Sequence, residues 1–403
     1  MEQGPEGPAD CGGSSADGYD WHDPESWKDG QGIEEEIYKP AECTSYTLLR
    51  DGDLTNKETP ADSGLAERAV ASTVSADAGI PKLIPRLNDP YCVPVPIENI
   101  TIGVELEFIV TDILPGPVRQ LFNRVAQALM PLATRLDTTV ISGESQVQGN
   151  SRERLKAFQV HSDLSIRTED NKAILRQTQN WRTGGLRTAK GVEIATPILR
   201  HRQWESVIPE MSQIVREGFQ VAFNGSTGLH VHVGIGRDYQ LQDLRRIAKA
   251  IVLFETAMNK YHPVCRNPST PEMNSHILAC RDSLPLKGLS DIEMMRKLDS
   301  VQETYDLFST MQSMVSLALY SPTSYHRGYR YNLSSVCRYG TVEFRQAVGT
   351  TDGHRTVEWI NRTIKFVTSA IATPDEVFNE WGVTGVLDPA IYRRFGVPPP
   401  SED

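Results

Sequence analysis

The six cysteines of this 403-residue chain, at 11, 43, 92, 265, 280 and 337, form no C-x-x-C pair, so neither a zinc knuckle nor a disulfide framework is suggested. Long apolar runs are missing too: no stretch approaches the ~18 to 20 consecutive apolar residues of a membrane-spanning helix. The N-terminus, MEQGPEGPADCGGSS, lacks the basic-then-apolar pattern of a signal peptide. A soluble, cytoplasmic protein is therefore expected. Positive charge is also in deficit, with 41 Lys and Arg against 52 Asp and Glu, a net charge of −11. General binding to nucleic acid or to an anionic membrane needs a positive surface that displaces counterions, and neither partner is expected.

Residues 1–95 are dominated by Gly, Pro, Ser, Asp and Glu. They include the charge run Glu34-Glu35-Glu36, and their apolar residues (Trp21, Trp27, Tyr38, Leu48, Leu49) hold no period. Such a segment can bury little, and it reads as a mostly disordered acidic tail, with a short docking segment around Trp21 to Tyr38 as the alternative. A folded catalytic domain is expected over 96–396, followed by a short tail at 397–403.

What the folded part does contain is strands with charged faces. In Gly228-Leu229-His230-Val231-His232-Val233-Gly234 the two histidines share one face while the valines take the other. A hydrogen-bonded pair of surface histidines and a shared ligand both fit that pattern. Ile100 to Val110 alternates in the same way, with Val104, Leu106 and Phe108 on one side and Glu105 and Glu107 on the other. Neighbouring like charges repel, so the face is either solvated or occupied by a cation. Gly191 to Leu199 has Glu193 as its only charge, and Pro197 marks an edge or strand end. Phe158 to Arg167 reads as a strand and turn with Asp163 and Ser165 at its bend. Tyr329 to Leu333 and Tyr339 to Gln346 read as two strands across a short turn. The second of these presents Glu343 and Arg345 on one face, either as a surface ion pair or as a metal ligand beside a phosphate clamp.

Apolar residues at helical spacing predict helices over 117–136, 204–221, 241–261, 291–299, 303–319 and 354–371. Residues 262–290 hold no period and read as a long loop, in which Arg266 and Arg281 face either an anionic ligand or solvent.

Taken together, Glu105, Glu107, Asp163, Glu193, His230, His232 and Glu343 are an oxygen-rich set spread over several strands. Hard oxygen donors with one or two imidazoles suit Mg²⁺ or Mn²⁺ better than Zn²⁺. Divalent ions among arginines are the equipment of phosphoryl transfer.

The ordered set GVELEF, the D-x-S turn at Asp163, VEIATP, GLHVHV, the Tyr331-Asn332 pair and GTVEFRQ resembles the amidoligase family over about residues 98–372. That family belongs to the carboxylate–amine ligases with the catalytic fold of glutamine synthetase and γ-glutamylcysteine ligase. The resemblance implies an α+β fold: a curved antiparallel sheet forming an open half-barrel, helices on its outer face, and ATP with Mg²⁺ on the concave face. It implies phosphorylation of a carboxylate by ATP, then attack by an amine on the acyl phosphate, with small-molecule or peptide substrates. Carried over motif by motif, Glu105, Glu107, Glu193, His230 and Glu343 are implied as metal ligands. Arg345 is implied to stabilise the transferred phosphoryl group, and Asp163 to assist the incoming amine. His232, Arg330, Arg338 and Asn332 are placed as nucleotide contacts. Two other readings stand beside this one: a non-catalytic nucleotide-binding scaffold, and a metal-dependent hydrolase built on the His230/His232 pair.

Overall fold

The computed structural model describes residues 95–113, 118–143, 155–163, 165–168, 188–266, 277–313, 328–386 and 388–399. The expectations for the 1–95 tail, and for the helix beyond residue 313, lie outside the described residues, apart from Val95.

The alternation of Ile100 to Val110 becomes β1 (Thr101–Ile113), the centre of a nine-stranded open sheet. Its even-numbered residues, Ile102, Val104, Leu106, Phe108 and Val110, are all at most 1% exposed and join the main core. The other strands are β2 (Val140–Ser142), β3 (Phe158–His161), β4 (Thr188–Ala195), β5 (Leu199–Arg200), β6 (Val221–Ala222), β7 (Gly228–Gly234), β8 (Tyr331–Asn332) and β9 (Val342–Val348). Across the sheet the order is β2-β3-β4-β1-β7-β9-β8, with β5 and β6 also pairing with β1. Pro197 falls in the break between β4 and β5, as its missing N–H requires.

One side of the sheet is covered by helices whose apolar stripes match the predicted periods: α1 (Val118–Arg135), α2 (Trp204–Gly218), α3 (Leu241–Met258) and α7 (Gly353–Ile371). Between α3 and α7 come α4 (Asp291–Asp299), α5 (Thr304–Gln312) and the short α6 (Ser335–Tyr339). Two further helices, α8 (Asp375–Thr384) and α9 (Pro389–Arg394), extend the fold past residue 371. They bring Trp381, Tyr392 and the following Phe395 onto Phe254 of α3, with ring centroids 4.6–6.5 Å apart.

Two expectations need correction. The sheet is mixed rather than antiparallel, because β2 runs parallel to β3 with Val140 opposite Phe158. Packing of α1 against β2 places that strand at the sheet edge. The turn expected between the last two strands is largely the helix α6, which ends at Gly340 in the left-handed region (φ 68°), so β9 starts at Val342. Among the described residues no helix is long and apolar enough to cross a membrane.

Candidate metal and phosphate site

The face of the sheet away from the main core carries the charged residues, and strand register puts them in one row. Glu105 of β1 stands opposite His230 of β7, and Glu107 opposite Glu193 of β4. His161 of β3 also faces Glu193, while His232 faces Glu343 of β9 and Asn332 of β8 faces Glu343 from the other side. Directly opposed positions on one sheet face bring Cβ atoms within ~5.5 Å, so six strands contribute to a single site.

Glu105 is the junction. One of its carboxylate oxygens lies 2.9 Å from His230 Nδ1 and the other 3.1 Å from His232 Nε2. Burial alone would raise its pKa, but the two imidazoles hold it well below the usual carboxylate range. His232 is fixed from behind by the hydroxyls of Thr341 and Ser335, 3.1 and 3.3 Å from Nδ1. Burial would lower the His232 pKa, and Glu343 and Glu105 raise it instead.

Glu343 is fully buried and ion-paired with Arg345. Against the cost of burial, Arg345 and His232 pull its pKa down to about 2. Its second oxygen accepts from Asn332 Nδ2 at 2.7 Å. Asn332 accepts in turn from Gln312 Nε2 at 3.2 Å, and the Gln312 carbonyl caps the backbone N–H groups of Leu333 and Ser334. Gln312 and Ser335 were not singled out in the sequence, because a polar residue at a helix end carries no periodic signal.

Glu107 is 1% exposed. One oxygen accepts from Gly228 N at 2.5 Å, while the other has no hydrogen-bond partner. A Cβ on Gly228 would come within 2.8 Å of His230 Nε2 and of Arg266 Nη2 and 3.1 Å of Glu107 Oε2, so a side chain there would displace these groups of the site. Asp163 joins this part of the site from its turn, where Ser165 N donates to it at 2.5 Å. Burial, followed by Glu105, Asp163 and Glu107, pushes the Glu193 carboxyl well above its ordinary value, and a hydrogen bond with Asp163 acts in the same direction. The hydrogen bonds from Ser165 hold Asp163 low despite partial burial.

Two triads result: Glu105, His230 and Glu343, and Glu107, Asp163 and Glu193. In each, one ligand atom from every residue lies within 4.8 Å of the others. The expected metal residues are thus together, and Asp163 stands with them rather than apart. Other expectations fare differently. Arg330 is buried but turns to Ile277 O and Asn259 Oδ1, with Glu255 nearby. Arg338 lies over the Tyr339 ring, which meets His232 edge-on at 5.7 Å. Of the two loop arginines, Arg266 is buried and donates to the carbonyls of Gly225, Arg345 and Gln346, while Arg281 is partly exposed and pairs with Asp291.

A family described as "Putative amidoligase enzyme" matches residues 98–367 of this chain. The chain belongs to that family. No curated protein matches it. In this amidoligase chain the matched residues contain every member of both triads and Arg345.

The donor set fits a hard divalent ion, being mainly carboxylate with one imidazole, and the buried Glu107 oxygen that accepts no hydrogen bond among the described residues, 3.5 Å from His230 Nε2, is a candidate ligand atom. A cation needs Glu193 ionised, so binding must release its proton. Mn²⁺ affinity of the amidoligase chain is therefore expected to rise with pH below the raised Glu193 pKa, by up to about tenfold per pH unit for one released proton. Calorimetric titrations in buffers of different ionisation enthalpy at several pH values check this. A pH-independent affinity without proton release would contradict it.

Proposed function

We propose that this amidoligase-family chain is an ATP- and Mg²⁺-dependent ligase that joins a carboxylate to an amine through an acyl phosphate. The observation that supports this reading most is the pair of carboxylate-rich triads, five of whose six members stand on neighbouring strands, with Arg345 beside them. Mg²⁺ held there would screen phosphate oxygens and polarise the γ-phosphoryl group.

The chain's own residues supply the rest. Arg345, anchored on Glu343, offers its guanidinium fork to the transferring phosphoryl oxygens; its Nε is buried without a partner. His232, locked by Thr341 and Ser335, holds Glu105 in place. Asp163 serves with Glu107 and Glu193 as a metal ligand, which takes the place of the amine-assisting role. The glutamine synthetase-like curvature of the sheet belongs to the same reading. The hydrolase reading has less support, because His232 has both ring nitrogens engaged by Glu105, Thr341 and Ser335, and the donors around His230 are carboxylates.

With the purified full chain, ATP plus Mg²⁺ is expected to raise the melting temperature, because a ligand that binds the native state stabilises it. ADP and phosphate are expected only when an acid and an amine are both supplied. A melting temperature that ATP and Mg²⁺ leave unmoved, together with no ADP across a broad panel of acids and amines, would overturn the reading.

A further inference from the structure

Beyond the two triads the same sheet face turns apolar. Ile109, two residues past Glu107 on β1, lies opposite Gly191 of β4 and Ala222 of β6. Ile109, Ala189 and Ala222 are at most 5% exposed, and together with Ile166 they form a small cluster separate from the main core. Ile166 is the one member of this cluster that comes from outside the sheet. It belongs to the turn that also carries Asp163 and Ser165.

Ile166 enters this cluster through a vacancy in β4. A Cβ on Gly191 would sit 2.8 Å from Ile166 Cβ, 2.9 Å from Cγ2 and 3.3 Å from Cδ1. Real Cβ contacts do not come that close, so the isoleucine fits only because position 191 has no side chain. Gly191 has no left-handed backbone to account for its identity. Among the described residues the turn's other ties are the hydrogen bond between Asp163 and Glu193 and two exposed ones, Arg167 N to Ser226 Oγ at 2.8 Å and Asn224 Nδ2 to Arg167 O at 2.8 Å. The exposed pair can exchange for water, and the Asp163 carboxylate is the group that has to be placed, so the buried isoleucine is the apolar anchor on this side.

We infer that Ile166 is a positioning residue: seated in the space left by Gly191, it holds Asp163 over Glu107 and Glu193 and so completes the second metal triad. Asp163 is the only member of that triad not on a sheet strand. Glu107 and Glu193 face each other through backbone pairing, whereas Asp163 lies two residues beyond His161, where β3 ends its pairing with β4, and the Ile166 seat fixes the far side of its turn. The first triad shares no element with the turn, so the seat governs one metal position and leaves the other alone. The inference rests on the metal reading given above.

The test is Mn²⁺ titration of the full chain, followed by electron paramagnetic resonance of the free ion, with the melting temperature recorded for each variant. The wild-type chain is expected to bind two Mn²⁺. Ile166→Val keeps the Cβ and Cγ atoms that fill the seat and is expected to retain both ions. Gly191→Ala and Ile166→Ala are each expected to leave the first site unchanged and to weaken the second about 10-fold to 100-fold, the scale for losing a group that orients a metal ligand. If Gly191→Ala fails to fold, Ile166→Ala against Ile166→Val decides the question. Two ions bound at wild-type affinity in the Ala variants would overturn this inference alone, as would equal weakening of both sites, which general loosening of the sheet would produce. A wild-type chain that takes up no Mn²⁺ would overturn this inference and the metal reading together.

Discussion

Glu105→Gln should lower ADP-forming turnover by at least about 10³-fold and weaken the first metal position by at least about 100-fold, with little change in melting temperature. The reason lies in how the carboxylate is shared. Each oxygen of Glu105 accepts from a different histidine, and the same group is a donor of the first triad. A carboxamide offers one oxygen and one NH₂ group in place of two oxygens. One imidazole must then change tautomer or lose its partner, and the negative charge that a hard cation requires is gone. The small stability effect follows from exposure and from a remaining partner: the Glu105 side chain is 25% exposed, and His232 keeps Glu343 as an acidic neighbour 3.9 Å from its Nε2. Mn²⁺ titration alongside an ADP assay checks the prediction. A Glu105→Gln chain with wild-type metal affinity would remove Glu105 from the site.

The charged faces of β1, β4, β7 and β9 were legible in the sequence because a strand's side-chain period is two, and Glu105/Glu107, Glu193, His230/His232 and Glu343 fall on the face opposite the core residues. What the sequence does not carry is register. That Glu107 meets Glu193 while Glu105 meets His230 is decided by pairings between segments more than 80 residues apart, and a slip of one residue would have sent each charge to the helical face. Asp163 illustrates the same limit at a turn. Its D-x-S geometry is local and readable, but its place in a triad depends on Ile166 meeting a glycine on a distant part of the chain. Arg330 shows the converse. It lies two residues from Asn332, which reaches Glu343, yet it turns toward Asn259 at the end of α3, where buried Glu255 lies close by. The parallel β2–β3 pair escaped notice because a three-residue strand has too few positions to display a period.

Arg345→Met should cost both activity and stability, and the two losses separate under Arg345→Lys. The Arg345 side chain is 14% exposed and its ion-pair partner Glu343 only 1%, so removing the guanidinium leaves a carboxylate buried without its strongest partner. Breaking one side of a buried pair costs about 3–5 kcal/mol. The pH dependence follows from the sign of the Glu343 shift. Its folded pKa, about 2, lies below the ordinary 4.5, so the stabilisation it contributes is fully present above the ordinary value and is lost as pH falls toward 2. Urea unfolding should therefore show the largest gap between wild type and Arg345→Met at neutral pH, with the gap narrowing in acid. The double variant Glu343→Gln/Arg345→Met should be more stable than Arg345→Met alone, because it no longer buries an unpaired charge. Turnover should fall about 10³-fold to 10⁵-fold in Arg345→Met, the scale of losing an arginine that meets transferring phosphoryl charge. Arg345→Lys keeps the charge near Glu343 but not the planar fork, so it should recover much of the stability while turnover stays low. Wild-type turnover in the lysine variant would mean that Arg345 acts only as the counter-ion of Glu343. Low turnover at restored stability would place its guanidinium at the reacting phosphoryl group.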